Sequence, residues 1–263
     1  MENTAVSIVE RIQALAAKTL ATQPAGHQLH LIGGFRYRLL DASCRASVDI
    51  DYHWEGDLDK KQAEIVEVLR KRFLPEVKRQ FGYDGDIHAA TGPAAESPAV
   101  RIVKMAFYRW AEAGSRVEIP LEITHIPRLD PPVVRTVGGT VVLTVSDADM
   151  IESKILALLN RTFTQARDIV DIFLFQASLR PDAPRRLSHK FSVLSLSPAE
   201  VRRRLSRLRG SASVHVREIE RVLETQVDPT VAANLRVAGG AAMIWEQVMG
   251  LLSDRLTGGE TTP

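Results

Sequence analysis

The chain has 263 residues, of which 45% are hydrophobic and 25% charged, so it is long enough for one large domain or two modest ones. Its formal net charge of +2 indicates no overall preference for a polyanionic partner, and its single cysteine, Cys44, excludes an internal disulfide. No apolar stretch approaches the roughly 20 residues of a membrane span. The N-terminus carries no basic leader, so we expect a cytoplasmic protein that does not contact a membrane.

The first half of the chain alternates between helical and strand periodicity. Apolar residues recur at helical spacing near the N-terminus and again over a longer segment, which Pro75 is expected to kink or end. Pro120 indicates an edge position or an irregularity in one of the strands. The predicted helices of this half are 4–21, 35–40 and 57–80, the predicted strands are 28–32, 45–54, 100–110, 116–126 and two around Gly138-Gly139, and the predicted turns and loops are 82–85, 89–98 and 112–115.

From Asp147 onward the periodicity is helical. A break at 179–184, rich in proline, is the predicted domain boundary. It divides a predicted domain at 1–180 from a helical, basic domain at 185–256, which a flexible tail at 257–263 follows. The predicted helices beyond this break are 198–208, 212–225, 229–237 and 241–256.

Two glycines and two aspartates near the N-terminus carry the first chemical signal. Residues two apart in a strand point to one side of the sheet, so Asp49 and Asp51 would present two carboxylates together. Like charges this close are tolerated best around a cation, and the turn Gly33-Gly34 leaves backbone N–H groups open to an anion. The pattern predicts a metal beside a phosphate, although plain surface acids on an edge strand produce the same pattern.

The order of these motifs resembles that of polymerase-β-type nucleotidyltransferases, in which a glycine pair and a helical turn precede Asp-x-Asp. Farther along, Ile151-Glu-Ser-Lys-Ile-Leu-Ala-Leu-Leu-Asn-Arg161 and then Ala166-Arg-Asp-Ile-Val-Asp171 closely resemble the Lys-Leu-x-Ala-Leu-x-x-Arg and Arg-Asp-x-x-Asp motifs of the AbiEii/AbiGii toxin family. The resemblance covers about 28–176. It implies an α+β fold with a small mixed sheet flanked by helices, and the toxin half of a toxin–antitoxin or abortive-infection system.

The resemblance also implies a metal site. Asp49 and Asp51 would hold two Mg²⁺ ions together with a third acid on a neighbouring strand. Glu122 fits the family pattern best, and Glu118 on the same face is its rival. The third acid would also help to take the proton from an attacking hydroxyl group.

A nucleotide site is implied beside the metal. Lys154 would offset the charge of the leaving pyrophosphate, and Asp168 would hold Lys154 or Arg161 in position. Gly34 stands where the superfamily often has serine. A solvated Lys154 and a purely structural pair of Arg167 and Asp168 are the alternatives. The predicted nucleotide-binding residues are Gly33, Gly34, Arg38, Lys154, Arg161, Arg167 and Asp168, with Arg45 as a further candidate.

A basic segment follows the predicted boundary. Between residues 183 and 221, ten Lys and Arg residues stand against three Glu residues, a surplus of seven positive charges. Such clustering is typical of RNA binding, although a solvated helix face also produces it. The predicted RNA-binding residues are Arg202, Arg203 and Arg207.

We therefore expect a Mg²⁺-dependent enzyme that transfers a nucleoside monophosphate from an NTP to a hydroxyl group of RNA, with a tRNA 3′ end as acceptor. A cognate antitoxin protein is the expected partner. Two alternatives remain open at this point. One is a nucleotidyltransferase that acts on a protein or a small molecule, and the other is a non-catalytic protein of the same fold that binds RNA or a partner.

Overall fold

The computed structural model describes residues 7–90, 99–109 and 116–257. The predicted turn at 112–115, most of the predicted loop at 89–98 and the tail from 258 onward lie outside the described residues. The chain divides into two compact units. The first unit comprises residues 1–126 and 132–145, and the second comprises 127–131 and 146–263.

The first unit contains a seven-stranded mixed sheet with the strand order β3-β4-β5-β2-β1-β7-β6. Strand β2 is parallel to β5, and β1 is parallel to β7. The strands are β1 (His30–Ile32), β2 (Ile50–His53), β3 (Asp84–Ala89), β4 (Val100–Tyr108), β5 (Arg116–Thr124), β6 (Val133–Val137) and β7 (Thr140–Thr144), and the helices are α1 (Ile8–Ala21), α2 (Gly33–Asp41), α3 (Leu58–Val68) and α4 (Leu74–Phe81). This arrangement confirms the predicted α+β class with a mixed sheet.

One hydrophobic core joins the helices of the first unit to its strands. Helix α1 begins after Ser7, whose hydroxyl oxygen accepts a hydrogen bond from the N–H of Glu10 at 3.2 Å. Its apolar face is buried with residues of β1 and β2, among them Leu31 and Ile50. The helical periodicity of the sequence therefore reports the face that packs on the sheet.

The segment predicted as one long helix is two α-helices joined by a π-helical turn at Leu69–Phe73. Pro75 lies in the first turn of α4. Proline has no N–H and so interrupts the helical hydrogen-bond ladder, and the π-helical turn, in which the N–H of Leu74 bonds to the carbonyl of Leu69, lies directly before it. The chain therefore continues through Pro75 as helix instead of ending at it.

Three details of the sheet differ from the sequence-based prediction. Strand β2 is shorter than the predicted 45–54. The side chain of Gln13 donates to the backbone carbonyls of Ser47 (3.0 Å) and Asp49 (3.4 Å), and a strand would use these carbonyls to bond to its neighbour. Strand β3 replaces a predicted turn. Pro120 lies on an interior strand, just outside the β2–β5 ladder, which begins at Leu121, so its missing N–H breaks no bond to β2.

The second unit is built of helices and the segments that connect them. Its helices are α5 (Asp147–Asn160), α6 (Ala166–Phe175), α7 (Ala183–Val193), α8 (Pro198–Gly210), α9 (Ala212–Thr225), α10 (Pro229–Val237) and α11 (Gly240–Thr257). No described helix is long and apolar enough to cross a membrane.

The break predicted at 179–184 lies inside the second unit, because α5 packs on α7, and α6 on α9 and α11. The compact units divide between Val145 and Ser146 instead. Helix α7 was not predicted. Its sequence has few apolar residues, and two of its basic side chains turn out to be buried.

Those two side chains belong to a buried ionic cluster, which we define as Asp130, Asp149, Glu152, Arg186 and Lys190. Lys190 Nζ lies 2.6 Å from Asp149 Oδ1 and 2.7 Å from Glu152 Oε2. Arg186 Nε lies 2.6 Å from Glu152 Oε1, and its Nη1 lies 3.0 Å from Asp130 Oδ1. Burial raises the pKa of Asp130, but hydrogen bonds from Ser146 and Arg186 outweigh it and the net pKa shift is downward.

Candidate active site

Asp51 and Glu122 are neighbours in the sheet. They are register partners on the parallel strands β2 and β5, and register partners on adjacent strands point to the same face. On its other side Asp51 pairs with Ile32, the residue before Gly33. We call Asp51 and Glu122 the carboxylate pair. Two carboxylates thus lie next to the point where β1 turns into α2.

Glu118 has different neighbours. It lies opposite Ala106 on β4, and its Oε1 is 2.7 Å from Arg116 Nη2. The ladder between β2 and β5 begins only at Leu121, so Glu118 has no register partner on β2. Of the two candidate third acids, Glu122 is therefore the one beside Asp51.

Gly33 makes room for the carboxylate of Asp51. Its φ is +78°, in the left-handed region that favours glycine, and an added Cβ would lie 1.8 Å from Asp51 Oδ2. A side chain at this position would therefore push the carboxylate away. The glycine is required here both by the backbone and by the acid.

Asp49 lies directly before β2 and is 6% exposed. Its Oδ1 accepts a hydrogen bond of 2.6 Å from the hydroxyl of Ser47. The backbone carbonyls of both residues accept from Gln13 on α1. Gln13 of α1 and Ser47 thus hold Asp49 in place, and neither was predicted as a site residue. The hydroxyl group two residues before Asp49 was the sequence signal that could have identified Ser47.

A side chain at Gly34 would displace Arg45 and Ser47 from their present positions. An added Cβ would lie 2.4 Å from Arg45 Nη2 and 2.8 Å from Ser47 Oγ. Arg45 is itself buried and donates to the carbonyl of Ala46 at 2.9 Å. The hydroxyl of Ser47 therefore lies close to the position that a serine side chain at residue 34 would occupy.

The carboxylate pair fits magnesium if substrate phosphates and waters complete the coordination shell of the ion. Within 7–90, 99–109 and 116–257, no three His, Cys, Asp or Glu side chains converge closely enough to hold a metal by themselves. Mg²⁺ is commonly bound by one or two carboxylates, with waters and substrate phosphates completing its shell. Asp51 and Glu122 suit such a substrate-completed site and not an all-protein metal cage.

A second set of charged residues lies in the helical unit. We call Lys154, Arg161, Asp168 and Asp171 the lysine cluster. Lys154 Nζ lies 3.0 Å from Asp168 Oδ1 and 2.9 Å from Asp171 Oδ2. Asp168 Oδ2 accepts from Arg161 Nη1 at 2.6 Å. The sequence left open whether Asp168 positions Lys154 or Arg161, and in the structure it contacts both.

The lysine cluster follows from helix geometry. Asp168 and Asp171 are three residues apart on α6 and therefore share a face. Their side chains are 1% and 0% exposed, and that of Lys154 is 11% exposed. Lys154 is thus a buried, doubly paired lysine on α5 and not a solvated one.

The sequence profile of the family described as "Nucleotidyl transferase AbiEii toxin, Type IV TA system" matches residues 13–237. The chain belongs to the AbiEii nucleotidyltransferase toxin family. The match begins at Gln13, includes the carboxylate pair and the lysine cluster, and ends at the last residue of α10. It is therefore wider than the 28–176 that the motifs alone indicated.

One of the solved structures to which the chain is similar supports the fold. An H. pylori protein assigned as a nucleotidyltransferase aligns at 17% identity with a TM-score of 0.52, over 98% of this chain and all of its own. MenT4, a nucleotidyltransferase toxin of Mycobacterium tuberculosis H37Rv, aligns at 14% identity with a TM-score of 0.49, over 82% of this chain and 64% of its own. No curated protein sequence matches the chain.

Two predicted phosphate contacts of this AbiEii chain have protein partners. Arg38 links α2 to α1, with Nε 2.7 Å from Glu10 Oε1, and its Nη1 donates to the carbonyl of Ser43 at 2.6 Å. Arg167 Nε donates to Gln165 Oε1 at 2.7 Å. These contacts hold both arginines in place, as Asp168 and Asp171 hold Lys154, and the role of Arg38 and Arg167 toward a phosphate stays a prediction.

Six of the ten basic residues of the segment fall into three groups. Arg186 and Lys190 are neutralised in the buried ionic cluster. Arg204 Nη1 donates to the carbonyls of Leu159 (2.9 Å) and Asn160 (3.1 Å) and so caps the C-terminus of α5. The predicted RNA-binding arginines are exposed on α8, and one of them, Arg203, is paired with Glu200; they are Arg202, Arg203 and Arg207. The surface surplus is smaller than the sequence count.

Proposed function

We propose that this AbiEii protein transfers a nucleoside monophosphate from an NTP to a hydroxyl group of RNA, with a tRNA 3′ end as the acceptor. The observation that carries the proposal is the pairing of Asp51 with Glu122 beside Gly33. Two carboxylates next to a glycine turn suit a metal and a phosphate together. The exposed arginines of α8 support a polyanionic acceptor.

In the proposed reaction, the acceptor hydroxyl oxygen attacks the α-phosphorus of the NTP. A new oxygen–phosphorus bond forms, the bond to the β-phosphate oxygen breaks, and pyrophosphate leaves. Glu122 takes the hydroxyl proton, and Lys154 offsets the charge that develops on the pyrophosphate. Asp51 and Glu122 would hold Mg²⁺ in a shell that substrate phosphates and water complete, with Asp49 proposed as a further acid of that shell, and the ion would offset the charge on the phosphate oxygens.

A cognate antitoxin is the protein partner in this proposal, as membership of a toxin–antitoxin family supports. By binding the toxin it would stop NMP transfer. Co-expression with the adjacent reading frames, followed by copurification and a growth assay, tests this part separately from the chemistry.

Incubation with labelled NTPs and total cell extract tests the acceptor. We expect label in the RNA fraction, its loss when EDTA removes divalent metal, and its return on addition of excess Mg²⁺. Label in the protein fraction would favour a protein acceptor instead. Absence of Mg²⁺-dependent NTP binding in isothermal titration would favour a non-catalytic protein.

Substitution of Gly33 by alanine is expected to abolish NMP transfer, because the new Cβ would collide with Asp51 Oδ2. The matched control is Gly82→Ala. Gly82 also has a positive φ, +71°, but nothing lies within 4 Å of its added Cβ. Both variants should lose about 1–2 kcal/mol in the free energy of unfolding from the left-handed backbone. Only Gly33→Ala should lose activity, and equal activity in the two variants would contradict the role of Gly33.

A further inference from the structure

We propose that an open pocket in the helical unit binds one unpaired nucleotide of the acceptor RNA, with its base stacked on Phe163. The inference rests on the proposed function, because it gives the RNA acceptor a defined binding position. The pocket has a volume of about 510 Å³. The end of α5 and the loop that follows form one side, and α8 and α9 form the other.

The first observation is the exposure of Phe163, which lines this pocket and is 82% exposed. Among the described residues that are large, hydrophobic and exposed, it is the one aromatic. A phenyl ring left in water loses the stability that burial would bring. A ring held at the wall of a polar pocket provides a stacking surface that any base can use.

The second observation is the charge of the pocket wall. Arg207 lines the pocket, is exposed and forms no ion pair with a described side chain. Two acids also line it, and each has a hydrogen-bonding partner, although only Glu200 is partnered by arginine. Glu200 pairs with Arg203 and Arg204, and Glu218 Oε2 lies 3.2 Å from His215 Nδ1. The guanidinium of Arg207 is therefore the charge available to a phosphate.

The third observation connects the pocket to the lysine cluster. Arg161 lines the pocket while its Nη1 lies 2.6 Å from Asp168 Oδ2. Asp168 in turn contacts Lys154 at 3.0 Å. A nucleotide that contacts Arg161 would thus be linked, through Arg161 and Asp168, to the lysine that we assign to the NTP phosphates.

The occupant that these features favour is RNA and not the base of the incoming NTP. The pocket is open, and Arg203 and Arg207 are four residues apart on α8, so they share a face of that helix. A strand that places one base on Phe163 can continue along these arginines, as a single nucleotide cannot. Single-stranded nucleic acids are bound by this combination of a stacking aromatic and a basic groove.

The test uses the full-length protein and a short single-stranded RNA that carries 2-aminopurine, whose fluorescence is quenched on stacking. We expect the wild type to quench the probe, and Phe163→Ala to weaken RNA binding by about 5- to 100-fold and to remove the quenching. Phe163→Trp should retain both. Arg207→Gln should lower the dependence of log K on log salt by about 0.7, the value for one phosphate contact in a single strand.

Two matched controls lie on the same unit but outside the pocket. Val237→Ala removes an apolar side chain that is 91% exposed, and Arg217→Gln removes an exposed charge. Both should bind RNA as the wild type does. The inference is overturned if Phe163→Ala binds RNA as tightly as Val237→Ala, or if it weakens NTP binding in isothermal titration and leaves RNA binding unchanged.

The same measurements separate this inference from the proposed function. If the wild type quenches the probe but transfers no NMP to RNA, the pocket is supported and the proposed reaction is contradicted. If the wild type transfers NMP to RNA and Phe163→Ala binds RNA as tightly as the wild type, the reaction is supported and the role of the pocket is contradicted.

Discussion

Replacement of Asp51 by asparagine is expected to lower kcat/KM for NMP transfer by about 10³-fold, because a carboxylate on a catalytic metal contributes several kcal/mol to transition-state stabilisation. Asparagine has nearly the same shape, and Asp51 is only partly buried, so the variant should stay folded. The measurement is transfer of labelled NTP to RNA at saturating Mg²⁺, with circular dichroism as the check on folding.

The matched controls for Asp51→Asn lie on β5. Glu122→Gln should also lose transfer, because Glu122 is the register partner of Asp51. Glu118→Gln should transfer NMP as the wild type does, because Glu118 has no register partner on β2. Wild-type activity in Asp51→Asn would refute the assignment of Asp51 as a metal ligand. Loss of transfer in Glu118→Gln, with activity kept in Glu122→Gln, would make Glu118 the third acid in place of Glu122.

The largest effect on stability is expected from Lys190→Met. Lys190 and both of its partners, Asp149 and Glu152, have fully buried side chains. Methionine fills a similar volume but removes one of the two cations that Asp149 and Glu152 share, so that Arg186 alone faces these carboxylates and Asp130. Breaking a buried pair in this way costs about 3–5 kcal/mol, because an uncompensated charge stays in the interior. Urea unfolding followed by helical circular dichroism measures the loss.

Lys71→Met is the matched control for Lys190→Met. Lys71 forms an ion pair of 2.6 Å with Glu67, but both side chains are more than 60% exposed. Solvent screens such a pair, so its loss should cost no more than about 1 kcal/mol. Equal losses in the two lysine variants would show that the buried ionic cluster contributes no more than a surface pair does.

The sequence by itself determined the fold class, the family and most of the elements. Amphipathic helices such as α1 and α5 carry a 3.6-residue period, and Gly138-Gly139 marks a hairpin between two short apolar runs, so each can be read within a local window. The ordered motifs around Gly33, Asp51, Lys154 and Asp168 indicated the AbiEii family for the same reason, since each motif is short and contiguous.

Only the tertiary structure decided which distant residues meet. Glu118 and Glu122 share a face of β5, but only Glu122 is a register partner of Asp51 on β2. The sequence could not tell them apart, because the register joins strands about seventy residues apart. Arg186 and Lys190 read as part of a basic surface until packing places them among three acids. Phe163 reads as one more apolar residue of a helical run, but α5 ends at Asn160 and leaves its ring exposed. Burial and pairing of single side chains depend on elements far away in the chain, which local periodicity does not record.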